Sequence, residues 1–202
     1  MSLWSDETRV LVRPEREYRA LAAADVPASP WLFVRRPAAL ALLAGAFVSL
    51  TAASHLVPAI VLDGALSWAF LPALQAVFVA AIVWYLTPRG VPLARAVDLF
   101  FVGSAPFALW LLYVAGACLF LRTPTPATPP LRKFTTAGTA AAALVWCNVL
   151  TAAYFRGALG VRRGRAVALT ALYSLLLWGT VVGYLVSVEA VQLHRIRDQL
   201  SR

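Results

Sequence analysis

Charged side chains are missing from five long stretches of the chain, 37 to 62, 64 to 88, 99 to 121, 134 to 155 and 166 to 188. Each is continuously apolar, and each exceeds the roughly 20 residues a helix needs to cross a hydrocarbon core about 30 Å thick. Backbone N–H and C=O groups find no water inside lipid, so a span is either a helix or part of a closed barrel. A barrel strand alternates apolar and polar positions, and these stretches do not. The pattern predicts an all-α, polytopic membrane protein with five transmembrane helices at about 38–60, 66–86, 98–121, 135–155 and 166–188. A leader of 1–36 precedes a transmembrane domain of 37–190, and a short tail of 191–202 follows it.

The segments outside the spans are small. In "VRPEREYRALAAADVPASPWLF", Pro14 suits the first turn of a short helix, with Glu15 and Glu17 near its positive end. Tyr18 and Leu21, three apart, would press that helix onto the membrane surface; a solvated leader helix is the other reading. "LDGAL" at 62–66 carries Asp-Gly turn chemistry and predicts the first reversal. "RTPTPATPPLRKF" predicts an extended, polyproline-like spacer between spans three and four, or a segment that docks a partner's groove. Pro72 and Pro106 predict kinks in spans two and three. The opening "MSLWSDETRV" lacks the apolar core and cleavage site of a signal peptide, so the first span is expected to direct insertion.

Composition strengthens this picture: 61% of residues are hydrophobic and 13% charged, against about 25% charged in soluble domains. The net charge of +9 does not point to nucleic acid, because the basic residues sit at span ends rather than on one folded surface. They act instead on orientation. Lys and Arg are enriched in cytoplasmic loops. The leader (Arg9, Arg13, Arg16, Arg19, Arg35, Arg36), the second loop (Arg89, Arg95) and the fourth loop (Arg156, Arg162, Arg163, Arg165) outnumber the opposite side, with Arg122, Arg132, Lys133, Arg195, Arg197 and Arg202. The N-terminus is therefore expected in the cytoplasm and the C-terminus outside, with Arg35, Arg36, Arg156, Arg162, Arg163 and Arg165 as the main topological anchors. Trp31, Phe33, Trp68, Trp84, Tyr85, Tyr154 and Phe155 fall where aromatic belts form.

Candidate chemistry inside the spans is sparse. No paired carboxylates, nucleophile beside a base or metal-ligand spacing is visible, so no catalytic residue, metal site or cofactor is expected. Asp63 and Asp98 lie at span edges, and His55 alone falls within lipid depth, towards the outer end of span one. Beside Thr51 and Ser54 it reads first as a hydrogen-bonded interfacial residue, and second as a pigment or haem ligand. Cys118 and Cys147 read as small buried hydrophobes. Helix-packing material is plentiful. Gly179 and Gly183, Gly138 and Ala142, and Gly45 and Ser49 are small pairs four apart, which let another helix approach, in this chain or another. Gln75 and Asn148 are deep polar groups placed to bond across helices.

"LVRPEREYRAL" at 11–21, the aromatic, Pro-containing "LFFVGSAPFALWLL" of span three, and the basic, Gly-containing "GALGVRRGRAVAL" at 157–169 together resemble the YIP family, particularly its bacterial members. The acidic, Pro-containing motif of the eukaryotic members is not present. The resemblance implies a five-helix fold, no known catalytic activity, and a role through protein or lipid partners.

The expectation is a non-enzymatic integral membrane protein whose partners are membrane lipids and other membrane protein subunits or further copies of itself. An accessory subunit of a respiratory or photosynthetic complex is the alternative, and a small transporter ranks third because the midplane carries no charge. The Ala-, Leu- and Arg-rich composition fits a high-GC bacterial gene, hence a bacterial cytoplasmic membrane.

Overall fold

The computed structural model describes residues 3–27, 29–86, 91–121 and 130–200. Among them the chain forms α-helices and no strand: α1 (Leu3–Val12), α2 (Pro14–Ala23), α3 (Trp31–Ala53), α4 (Pro58–Trp68), α5 (Phe70–Leu86), α6 (Leu93–Val102), α7 (Ala105–Leu121), α8 (Pro130–Gly157) and α9 (Arg163–Leu200). Helix α3, the nearly continuous α4–α5 unit, α8 from Thr135 and α9 as far as Tyr184 are each long and apolar enough to span a bilayer. The pair α6–α7, bent by 44°, makes a fifth where it is one broken span. Their exposed side chains are largely apolar, including Val77, Leu175 and Val182, as expected of helices whose outer solvent is lipid. The protein is an integral membrane protein with a polytopic helical fold.

The first reversal lies earlier than Asp-Gly chemistry suggests. Helix α3 ends at Ala53, Ser54 adopts a left-handed φ of 60°, and α4 begins at Pro58. Buried Ser49 fixes this turn: its hydroxyl donates to the His55 carbonyl at 2.9 Å and accepts from Val57 N–H at 2.8 Å. "LDGAL" is therefore helical. Gly64 serves packing, since a Cβ there would sit 3.1 Å from the Gly45 Cα. Gly45, Gly64 and Ala65 bring α3 and α4 to backbone contact, and that close approach outweighs the local turn preference.

The expected kinks are present as interruptions. Ala69 directly follows the last residue of α4, Trp68, and separates it from α5, in whose first turn Pro72 is buried. Gly103 and Ser104 separate α6 from α7, whose second residue is Pro106. The Pro-rich segment lies largely at 122–129, outside the described residues, as do Arg89 and Arg122. Pro130 opens α8, and α9 continues through the predicted tail to Leu200.

Packing is densest at the end of the bundle where the leader returns. Tyr18 and Leu21, expected to press α2 onto a membrane surface, are instead buried against the spans, Tyr18 fully. Tyr154 and Phe155, expected in an aromatic belt, are also fully buried. The Tyr154 hydroxyl donates to the Ala96 carbonyl at 2.9 Å, and its ring meets Tyr18 and Phe100 edge-on. Trp31, Trp84 and Tyr85 do remain exposed at span ends.

Candidate functional site

Asp98 is the centre of the most charged part of the fold. It lies in α6, one turn after Arg95, and is completely buried. Helix α3 starts early enough, at Trp31, to carry Arg35 and Arg36 on its second turn towards α6. Arg35 grips the carboxylate with both arms of its guanidinium, Nε to Oδ1 and Nη2 to Oδ2, each at 2.6 Å. Arg36 Nε donates to Oδ1 at 2.9 Å, and Arg95 Nη1 to Oδ2 at 2.9 Å. One carboxylate thus collects three arginines. Planar, bidentate pairing of this kind combines strong charge-assisted hydrogen bonds with fixed orientation.

The excess positive charge is balanced from the leader. Arg36 extends its terminal nitrogens to α1, pairing with Glu7 and, at 3.5 Å, with Asp6. Arg95 Nη2 donates at 3.2 Å to the carbonyl of Leu21 at the end of α2. Three arginines and the carboxylates of Asp6, Glu7 and Asp98 make a formally neutral cluster that ties both leader helices to α3 and α6. Burial pushes the Glu7 carboxyl above its ordinary pKa, with Arg36 opposing that rise. Burial likewise raises the Tyr18 phenol. A buried ion pair at this depth holds because each charge is met; removing one partner leaves the others uncompensated.

The six expected topological anchors therefore divide. Arg35 and Arg36 are bound within the cluster, Arg156 pairs with Glu15 at 2.8 Å, and Arg162, Arg163 and Arg165 are exposed. Arg19, Arg156, Arg162 and Arg163 line an open groove of about 720 Å³ between the end of α2 and the 157–163 turn, with Glu15 as the single acidic group among the described residues of its lining.

The small-residue pairs divide as well. Gly45 and Ser49 pack inside the chain. Gly138, Gly179 and Gly183 are exposed, and a Cβ added at any of them would meet nothing within 4 Å; Ala142 is exposed too. Asn148 makes the expected bond across helices, accepting from the Ser174 hydroxyl at 2.6 Å. His55 lies outside α3, exposed in the 54–57 reversal with Nδ1 2.7 Å from the Ala53 carbonyl, rather than within the span. Among the described residues no three His, Cys, Asp or Glu side chains group to hold a metal ion.

Sequence reasoning missed the Asp98 cluster because it read Arg35 and Arg36 as leader charges that set orientation. The available signal was the Arg95–Asp98 pair, spaced i to i+3 at the mouth of an apolar stretch, opposite a double arginine at the mouth of another. No family model matches the chain, and no curated protein or solved structure matches it either.

Proposed function

We propose that this chain is a non-enzymatic protein of the bacterial cytoplasmic membrane, similar to YIP-family proteins, that acts by associating with lipid and with other membrane proteins. The carrying observation is the contrast between its glycine faces. The Gly45 face is filled by α4, whereas Gly138 on α8 and Gly179 and Gly183 on α9 are open. A glycine face inside a bilayer gains its packing energy only from a helix that comes close. A second chain, whether another copy or a different subunit, is the occupant such a face fits. The arginine groove supports the lipid half of the reading, since exposed guanidinium groups beside a membrane attract anionic headgroups. In this arrangement the leader and the Asp98 cluster face the cytoplasm and serve as a brace that fixes the spans relative to one another.

The test is the mass of the protein purified in mild detergent, with identification of what co-purifies. Wild-type protein is expected in a particle heavier than one chain, and Gly179→Leu with Gly183→Leu is expected to reduce it to a single chain while leaving its helical content intact. A wild-type particle of one chain's mass, with nothing bound, would end this reading. A large assembly of different subunits that carries a pigment or haem would favour the accessory-subunit alternative.

A further inference from the structure

Midway along the spans, the break between α6 and α7 opens a cavity of about 80 Å³ bounded by α3, α5, α8 and α9. We propose that it binds the head of an uncharged, hydroxyl-bearing amphiphile that enters from the bilayer; this site goes beyond the partner-binding reading and does not depend on it. Among the described residues its lining contains no charged one, so a charged head would lie there unpaired, at large cost. Most polar groups in the wall are already engaged. Ser174 donates to Asn148, Asn148 Nδ2 to the Leu144 carbonyl at 2.9 Å, and Thr151 to the Cys147 carbonyl at 2.9 Å.

Two atoms in the wall are not engaged. The Gln75 amide is turned towards the Tyr173 phenol oxygen, yet Gln75 Oε1 has no donor and the Tyr173 O–H no acceptor in hydrogen-bond geometry among the described residues, and both atoms are buried. Tyr173 is only 5% exposed. Gln75 Oε1 accepts only, and a phenol both donates and accepts. A hydroxyl group satisfies both at once, donating to Gln75 and accepting from Tyr173. An orphaned buried polar atom is costly to leave unmet, so the pair constitutes a demand for such a group. The rest of the wall is apolar, with Leu71, Phe107 and Leu177, and the lining reaches the lipid-facing surface at Trp178, which is 43% exposed. That is the form needed for a polar head inside and an apolar chain trailing outward. About 15 Å³ is needed per water-sized group, so the interior holds a head of about five heavy atoms.

Saturable binding of tritiated dodecanol to the full-length protein in mild detergent tests this. Dodecanol is expected to bind about tenfold more tightly than dodecyl methyl ether, which cannot donate, and dodecyl phosphate is expected not to compete. Tyr173→Phe and Gln75→Leu should each bring dodecanol down to the level of the ether. Competition by monoolein or by farnesol then tells a glycerolipid source from an isoprenoid alcohol. Equal binding of alcohol and ether, or failure of both natural competitors, overturns the proposal and leaves a water-filled or merely apolar pocket. The alcohol–ether comparison uses the unaltered protein, so it decides the matter even where a variant does not fold.

Discussion

Gly157 and Tyr18 are in backbone-to-side-chain contact: a Cβ at Gly157 would lie 2.8 Å from the Tyr18 Cβ and 2.5 Å from the Glu15 carbonyl oxygen. This contact seats α2 on the end of α8. Gly157→Ala must therefore push the leader away, at about 1–3 kcal/mol for an overpacked site. Trypsin should cut at Arg13, Arg16 and Arg19 about tenfold faster in this variant. Gly164→Ala, where a Cβ meets nothing within 4 Å, should digest like wild type.

Asp98 is the hub of its cluster, and its arginines are individually less critical. Asp98→Ala leaves three guanidinium groups facing one another and should destabilise the protein by about 3–5 kcal/mol. Arg95→Met keeps Asp98 gripped by Arg35 and Arg36 and should cost clearly less. Thermal unfolding in detergent measures both; equal losses would mean that Asp98 is not the centre.

Glu7 gives a pH signature of defined sign. Its folded pKa is raised above the ordinary value of 4.5, mainly by burial. A raised carboxyl contributes stability that is fully present below the unfolded pKa and is lost as pH rises through the folded pKa. Titrating wild type and Glu7→Gln side by side, the wild type should lose stability relative to the variant as pH rises above about 4.5. A difference that runs in the opposite direction would show that pairing with Arg36 outweighs burial.

The glycine faces predict opposite outcomes for one kind of substitution. A Cβ at Gly45 would run into the Val61 carbonyl and come within 2.7 Å of Ala65 N, so Gly45→Ala should lower the unfolding temperature of a single chain. Gly179→Ala should leave it unchanged or raise it slightly, because alanine is the better helix former. Unfolding scans at low protein concentration separate the two.

The proposed orientation, with the leader in the cytoplasm, gives the exposed arginines of the 157–169 stretch a topological role. In that orientation, changing Arg162, Arg163 and Arg165 together to Glu should place the C-terminus on the cytoplasmic side in a measurable share of molecules. A reporter fused to the C-terminus reads this directly. No change in its location would show that the leader alone sets topology.

Length and polarity decided most of the architecture, and they are properties of the sequence. Inside lipid, a continuously apolar stretch of this length without alternation satisfies its backbone as a helix, so the apolar helices and the interruptions close to Pro72 and Pro106 were legible without coordinates, although the boundary between the first two was not. The exposed Trp31, Trp84 and Tyr85 were legible for the same reason, since their place depends on distance along a span. Which charges meet, and which glycines are covered, depends instead on how helices are rotated and offset against one another. Arg36 and Asp98 are 62 residues apart, and no local pattern states that α3 begins at Trp31 and carries Arg35 and Arg36 into contact with α6. The Asp-Gly pair of 63–64 had a sound local reading as a turn, but the match between Gly45 and the Gly64–Ala65 surface made it helix. Tyr18 was apolar enough for a membrane surface and was buried because Gly157 and Gly103 leave room for it. The sequence by itself determined which segments are long and apolar enough to cross a membrane, because that depends on length and polarity alone, and tertiary packing decided which polar groups meet, because that depends on how the helices are set against one another.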